Sequence, residues 1–284
     1  YYEAVSGSYR GKEREVPGLC SAPNGAELYK VAIRSWTGLN LDPKELHEIG
    51  LQEWADIQEE MKVISTKLGH GGSIEKLRDA AESDPTNVAA TKDALIVRIK
   101  EDIDRGYAAA GKVFGRFPKA GCDVKAVEEF KEKDAPAAYY FSPAADGSRP
   151  GTYYVNGYDL PSRFLHALAP TTYHEAIPGH HFQIALEMEL EFLPDLRKHA
   201  SHLAGNAYVE GWGLYSERLA DELGLYRSEM ERFGMLQGQA HRAARLVVDT
   251  GIHAFGWTRD RGVEFMESVG LPRTDAEIET DRYI

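Results

Sequence analysis

Pro178 and Gly179 sit in the densest run of histidines in this chain, and no regular helix passes through that pair. Proline has no N–H to donate, and its ring collides with the carbonyl four residues back, here that of His174. Gly179 adds backbone freedom beside it. The flanking residues otherwise read as helix, so the sequence predicts a kink or bulge at Pro178-Gly179. Eight of the ten histidines lie between His166 and His253, so the geometry of this break bears on the chemistry. In an unbroken helix His174 and His180 would differ by about 240° of rotation and about 9 Å of rise. A break allows His180 to swing back toward the face of His174.

Around that feature the chain reads as mainly α-helical. The first forty residues are rich in Gly, Pro and Ser and read as loop with short elements. Asp42-Pro43-Lys44-Glu45 marks a helix start, with Asp as N-cap and Pro at the first helical position. Ile57, Met61, Ile64 and Leu68 keep helical spacing until Gly69 and the Gly71-Gly72 pair. A short helix from Ser73 gives way at Asp84-Pro85, and a longer one carries Leu95, Ile96, Ile99, Ile103 and Tyr107 on one face. Residues 124–130, 137–142 and 152–156 alternate in character, predicting a small antiparallel sheet whose last two strands form a hairpin. Helices return from Pro161: one near His174, one from about Gly205 to Leu223, and one opened by the capping box Ser228-Glu229-Met230-Glu231. The expected organisation is one mostly helical region: 1–120 helical, 121–160 the small sheet, 161–284 helical with the candidate site.

Bulk properties narrow the function. A formal net charge of −12 argues against a nucleic-acid groove or an anionic membrane surface as partner. The apolar stretches fall short of the 18 or more residues of a membrane span. Cys20 and Cys122 lie far apart with no CxxC spacing, which disfavours a disulfide framework or a thiolate zinc site and leaves one bridge open. GxSxG and Walker-type motifs are missing, and neither cysteine stands in a catalytic context. The chain opens on Tyr1-Tyr2-Glu3 and stops soon after an apparent capping box at Thr274-Asp275-Ala276-Glu277, so it reads as a fragment.

His174-Glu175-Ala176-Ile177-Pro178-Gly179-His180-His181 resembles the zincin HExxH helix, in which two histidines hold zinc and the intervening glutamate is general base. It departs from that pattern by placing Pro178 at the fourth position and the next histidine at the sixth. His181, two turns beyond His174, suits a role behind the ligands or against substrate, and which of His180 and His181 is the second ligand stays open. A bland alternative is a polar helix end, where histidine is favoured anyway. A third ligand is available at Glu210, whose apolar and aromatic neighbours make an unpaired carboxylate costly. Gly211 and Gly213 would let two helices approach. Glu217, two turns on, is either a support for a ligand or a solvated side chain. His241, Arg245, Asp249 and His253 recur every four residues, so neighbours can touch. Asp249 would orient His253 toward substrate or an oxyanion, against the plainer reading of a salt-bridged helix face.

These residues resemble the bacterial family catalogued as domain of unknown function 885. The phrases that carry the resemblance are His174 to His181, Glu210-Gly211-Trp212 and Asp249-Thr250-Gly251-Ile252-His253. Pro23-Asn24-Gly25-Ala26-Glu27-Leu28-Tyr29 and Leu46-His47-Glu48-Ile49-Gly50-Leu51 fit as well. The resemblance implies a piece of a protein about twice as long, similar to gluzincin-type zinc peptidases: largely helical, zincin-like, with its site in a deep channel. It implies one Zn2+ on His174, His180 and Glu210, with Glu175 as base.

The expected activity is therefore zinc-dependent hydrolysis of a peptide or small amide, with His253 or Tyr208 as oxyanion donor and the hairpin at 152–156 as an edge for the substrate backbone. Two rivals stand beside it: a metal-dependent hydrolase or lyase of non-peptide small molecules, and a non-catalytic helical metal-binding module. Bacterial cytoplasm and periplasm or cell envelope are both open, as is the oligomeric state.

Overall fold

The computed structural model describes residues 16–199 and 206–284. The chain divides into two compact units, one made of the residues up to Ile57 with Gln239–Ile284, the other of Gln58–Gly238. The architecture is mainly helical with one small sheet.

In the first unit, helix α1 (Gly25–Thr37) buries Tyr29 and Ile33 against Leu46. At 13 residues this element is longer than the short elements expected within loop over the first forty residues, of which 1–15 lie outside the described residues. Its start was masked because Asn24 caps it from a left-handed backbone (φ 55°), which makes Asn24-Gly25 look like a turn. Helix α2 (Pro43–Lys67) begins where the sequence predicts, and Asp42 Oδ1 accepts from the Lys44 N–H at 2.8 Å. Three elements near the C-terminus are α9 (Glu229–Phe255), α10 (Arg259–Ser268) and α11 (Arg273–Asp281). Helix α11 starts at Arg273, with no side-chain cap at Pro272, so the capping box read at Thr274 falls inside the helix instead of opening it.

Glu279 of α11 anchors a charge cluster in this unit. Arg245 lies 2.7 Å from it, His241 3.6 Å, and the Tyr283 hydroxyl donates to it at 2.6 Å. Burial alone would raise its pKa, but His241, Tyr283 and Arg245 together outweigh burial and hold it well below the usual 4.5. A carboxylate depressed in this way contributes stability above its unfolded pKa and loses it as pH falls toward the folded value. Glu279→Gln is therefore expected to lower stability at neutral pH and to flatten the loss of stability below about pH 4.5. Chemical denaturation at a series of pH values checks this, and parallel acid limbs in both proteins would refute it.

In the second unit, α3 (Ile74–Ser83) and α4 (Lys92–Ala110) open on side-chain caps, Ser73 to the Lys76 N–H and Thr91 to the Ala94 N–H. Strands β1 (Cys122–Ala126), β2 (Ala138–Phe141) and β3 (Gly151–Val155) follow in the order β1-β3-β2. The sheet is mixed, correcting the antiparallel expectation: β2 and β3 form the predicted hairpin, but β1 runs parallel to β3. Because β3 is the central strand and pairs on both sides, it has no edge for a substrate backbone, which corrects the role expected of 152–156. Leu95, Ile99 and Ile103 of α4 pack against Tyr153 and Val155 of β3 and against Ala176, Ile177 and Phe182, so the core sits directly under the helix break. The remaining helices are α5 (Leu165–Glu175), α6 (His180–Met188), α7 (Asp195–His199) and α8 (Asn206–Glu222). Gly205, the predicted start of the last, lies outside the described residues.

Both cysteines are free. Burial pushes the Cys122 thiol up to about 12, which keeps it protonated and a poor nucleophile. Among the described residues no helix is long and apolar enough to cross a membrane.

Candidate metal centre

The predicted break is complete. Helix α5 ends at Glu175, α6 restarts at His180, and the four residues between them include a cis Ile177–Pro178 bond and an Ala176 backbone at φ −113°, ψ −103°. Trp212 of α8 donates its indole N–H to the Pro178 carbonyl at 2.8 Å, and Ser216 donates to the Tyr173 carbonyl at 3.1 Å. These two bonds fasten α8 across the break and satisfy carbonyls that the interrupted helix leaves over. Gly179 is required here for space: a Cβ would come within 1.9 Å of the His174 carbonyl oxygen.

The result is that His174 and His180 meet. Their rings stand nearly perpendicular with centroids 4.6 Å apart. The carboxylate of Glu210 reaches both, one oxygen 3.4 Å from His174 Nε2 and the other 3.7 Å from His180 Nε2. Ligand atoms of the three residues lie within 4.8 Å of one another. Both histidines are buried, whereas the Glu210 side chain is 44% exposed, so the trio opens on its glutamate side. Gly213, one turn after Glu210, makes the approach possible. A Cβ there would stand 2.6 Å from His174 Cε1 and Nε2 and 2.9 Å from His180 Cε1. At Gly211 a Cβ would meet open space, so only Gly213 serves the close approach predicted for the pair.

Glu217 is buried, and its carboxylate lies 2.7 Å from His174 Nδ1. The bond fixes the ring orientation and makes Nδ1 the protonated nitrogen, leaving Nε2, the atom facing Glu210, with its lone pair. Of the two readings of Glu217, support for His174 is the one the geometry favours. Outer partners of this kind set metal affinity by roughly 10–100-fold. Glu217→Gln is thus expected to weaken zinc binding by a factor in that range while leaving the fold intact. Competition with a chelating dye measures it, and an unchanged affinity would contradict the assignment.

His181 faces another way. Its Nε2 donates to the Ala120 carbonyl at 3.1 Å and its Nδ1 accepts from the Tyr140 hydroxyl at 2.8 Å. Burial lowers its pKa to about 4, so it is neutral and fully engaged. The choice between His180 and His181 as partner of His174 therefore falls on His180. Tyr140 had no signal in the sequence that linked it to this region.

Glu175 ends α5 beside the trio's His174. The hydroxyl of Tyr153, fully buried on β3, lies close enough for the Glu175 carboxylate to add to the effect of burial in raising the phenol's pKa. Burial, the larger cause, and this carboxylate together keep the Tyr153 phenol neutral.

Four predicted residues have partners outside the trio. Tyr208 precedes Glu210 by two residues, roughly 200° around α8. Its ring lies under the Arg197 guanidinium at 4.6 Å. Arg245, Asp249 and His253 belong to the first unit. Asp249 accepts from the Tyr29 hydroxyl instead of orienting His253. His253 Nδ1 accepts from the Leu19 N–H at 3.1 Å, and its Nε2 donates to the Tyr283 carbonyl at 2.7 Å. With both nitrogens taken by the main chain, His253 has none to offer an oxyanion. Four-residue spacing identified neighbours on one helix but not what α1 and the C-terminus bring to it.

Comparison with known proteins agrees with this structure. A solved structure from Colwellia psychrerythraea, described as a "putative lipoprotein", is 36% identical with a TM-score of 0.91 over 99% of this chain. A second, from Shewanella oneidensis and described as a "putative lipoprotein of unknown function", is 19% identical with a TM-score of 0.77 and shows the same fold. This chain spans 49% and 52% of those two chains. No curated protein matches it. The model of a bacterial protein family of unknown function, DUF885, matches residues 1–284, and the chain belongs to that family.

Proposed function

We propose that this chain carries the catalytic site of a zinc-dependent hydrolase, and that its substrates are peptides. The observation that supports the reading most is the convergence of His174, His180 and Glu210 across a broken helix, with Glu175 adjoining and Glu217 behind His174. Two imidazoles and a carboxylate are the donor set of catalytic zinc sites, which keep a position open, whereas structural sites close all four with protein ligands. The exposure on the Glu210 side fits an open position. Zinc, when bound, supplies a Lewis acid and brings the pKa of water down to near 7.

The chain's own residues supply the rest. His174 and His180 present neutral imidazole nitrogens, the first held in that tautomer by Glu217. Glu175 accepts a proton from the attacking water and can return it to the leaving amine. We read the fold on this basis as zincin-like. A place in the bacterial cell envelope goes with the description of the Colwellia psychrerythraea relative as a "putative lipoprotein".

The test is to load the chain with zinc, incubate it with a peptide mixture and follow products by mass spectrometry. Cleavage that a chelator stops and added zinc restores supports the reading. Zinc-loaded protein that leaves peptides intact but hydrolyses other amides or esters would move the assignment to a non-peptide hydrolase.

A further inference from the structure

A cavity of about 640 Å³ in the second unit shares no residue with the metal centre and takes no part in the chemistry described above. Three segments distant in sequence form it: residues 119–121 before β1, the β2–β3 loop at 143–150, and the stretch from the end of α6 to the end of α7. Each segment brings a cation to the wall. Lys119 comes from the first, Arg149 from the second, and Lys198 with His199 from the third. Among the described residues, the Lys119 and Lys198 ammonium groups make no ion pair or hydrogen bond. Arg149 donates to two main-chain carbonyls, those of Pro150 at 3.1 Å and Ser142 at 2.7 Å. Those bonds use two of its five N–H donors and leave its charge uncompensated. The wall carries one carboxylate, Glu189, whose Oε1 accepts from the Lys119 and Ala120 N–H groups at 2.7 and 3.1 Å. Asp146 of the same loop turns back on itself, accepting from the Ser148 N–H and hydroxyl. Pro143, Ala185 and Met188 add apolar surface.

We propose that this cavity binds a soluble phosphate monoester, its phosphoryl oxygens toward Lys119, Arg149 and Lys198 and its organic body against Ala185 and Met188. Charge decides the class. Two lysines and an arginine against one glutamate leave this wall with an excess of two positive charges, in a chain whose net charge is −12. A phosphate monoester carries about −1.5 to −2 at pH 7 and offers three strong acceptor oxygens, so it balances the wall. A carboxylate monoanion balances half of the excess, and an amine adds to it. Donor placement agrees with charge. The cations stand on three separate segments and so approach a tetrahedral phosphoryl group from different sides, whereas a planar carboxylate is best matched by one bidentate guanidinium. The lysines are point charges on flexible stems, Arg149 keeps three N–H donors, and His199 adds an imidazole N–H. The net charge of −12 opposes close approach to an anionic bilayer, which favours a soluble ester over a lipid headgroup. The site stands whether or not the metal centre hydrolyses peptides.

The experiment is isothermal titration calorimetry on the zinc-loaded full chain with phenyl phosphate as the probe. Benzoate is the comparison, since it keeps the ring and replaces the phosphoryl group by a carboxylate. Phenyl phosphate is expected to bind about tenfold or more tightly than benzoate, and Lys119→Gln and Lys198→Gln each to weaken it by about tenfold, the value of one charge-assisted bond. Neither lysine side chain has a partner to lose, so both variants are expected to fold as the wild type does. Lys76→Gln, on α3 and outside the cavity, removes the same charge and is expected to leave affinity within about twofold, because salt screens it. Stripping zinc with a chelator is expected to change nothing, which separates this site from phosphate held at the metal centre. No heat at millimolar phenyl phosphate, benzoate binding as tightly, equal losses in Lys76→Gln and the two cavity variants, or binding abolished by the chelator would each overturn the proposal. So would protein that sediments with phosphatidate-containing vesicles yet gives no heat with phenyl phosphate, which would put the phosphate on a lipid.

Discussion

Glu175→Gln is expected to reduce peptide turnover by between about 100-fold and 10,000-fold, the range that a positioned general base contributes. The substitution keeps the size and hydrogen-bonding reach of the side chain but removes its ability to take a proton. Glu175 is the last residue of α5, while the three candidate ligands stand on α5, α6 and α8, so zinc content should stay at its wild-type level. The informative result is that split: metal retained, turnover gone. It is measured by elemental analysis beside an initial-rate assay on one batch of protein. Turnover within a few-fold of wild type would remove Glu175 as the base and require another proton acceptor.

Gly213→Ala is the second large expected effect, and its sign runs against local propensity. In a helix interior, Ala for Gly ordinarily adds about 0.5–1 kcal/mol of stability, because glycine loses more backbone freedom on folding. Here the added methyl would stand 2.6 Å from His174 Nε2, the nitrogen that faces Glu210. His174 cannot readily yield, since Glu217 holds its other nitrogen, and Trp212 and Ser216 hold α8 to the backbone around it. The strain therefore falls on the ligand geometry. Zinc affinity is expected to drop by at least about 100-fold, the upper end of what losing an outer hydrogen-bond partner costs, because a ligand itself is displaced. Competitive zinc titration, with circular dichroism to verify folding, reads this directly. A folded Gly213→Ala protein with wild-type zinc affinity would show that α8 does not present Glu210 to the two histidines.

What the sequence revealed, and what it hid, follows the range of the interactions involved. Helix starts at Pro43 and Ile74 were legible because Asp42 and Ser73 cap them through bonds only two or three residues long. The break after Glu175 was legible for the same reason: the Pro178 ring acts on a carbonyl four residues away. Its consequence was legible too, since a broken helix was needed for His174 and His180 to meet, and they do. The parallel pairing of β1 with β3 was hidden, because alternation specifies a strand but not its partner or direction. Helix α1 was hidden behind the left-handed Asn24. The engagement of His253 with Leu19 and Tyr283, and of His181 with Ala120 and Tyr140, depends on segments distant in sequence. In the candidate site, the three candidate ligands were legible from local chemistry, while the contact of Glu217 with His174 is tertiary and settled between two readings that the sequence left open.

The central claim is that His174, His180 and Glu210 form one zinc site. Elemental analysis of dialysed protein tests it most directly, on the wild type and on the His174→Ala and His180→Ala variants. The account predicts about one zinc per chain in the wild type, the ratio of a single two-histidine, one-carboxylate site, and a loss of that zinc in both variants. Wild-type protein that neither carries zinc nor takes it up on addition, or a His180→Ala variant that keeps its metal, would contradict it.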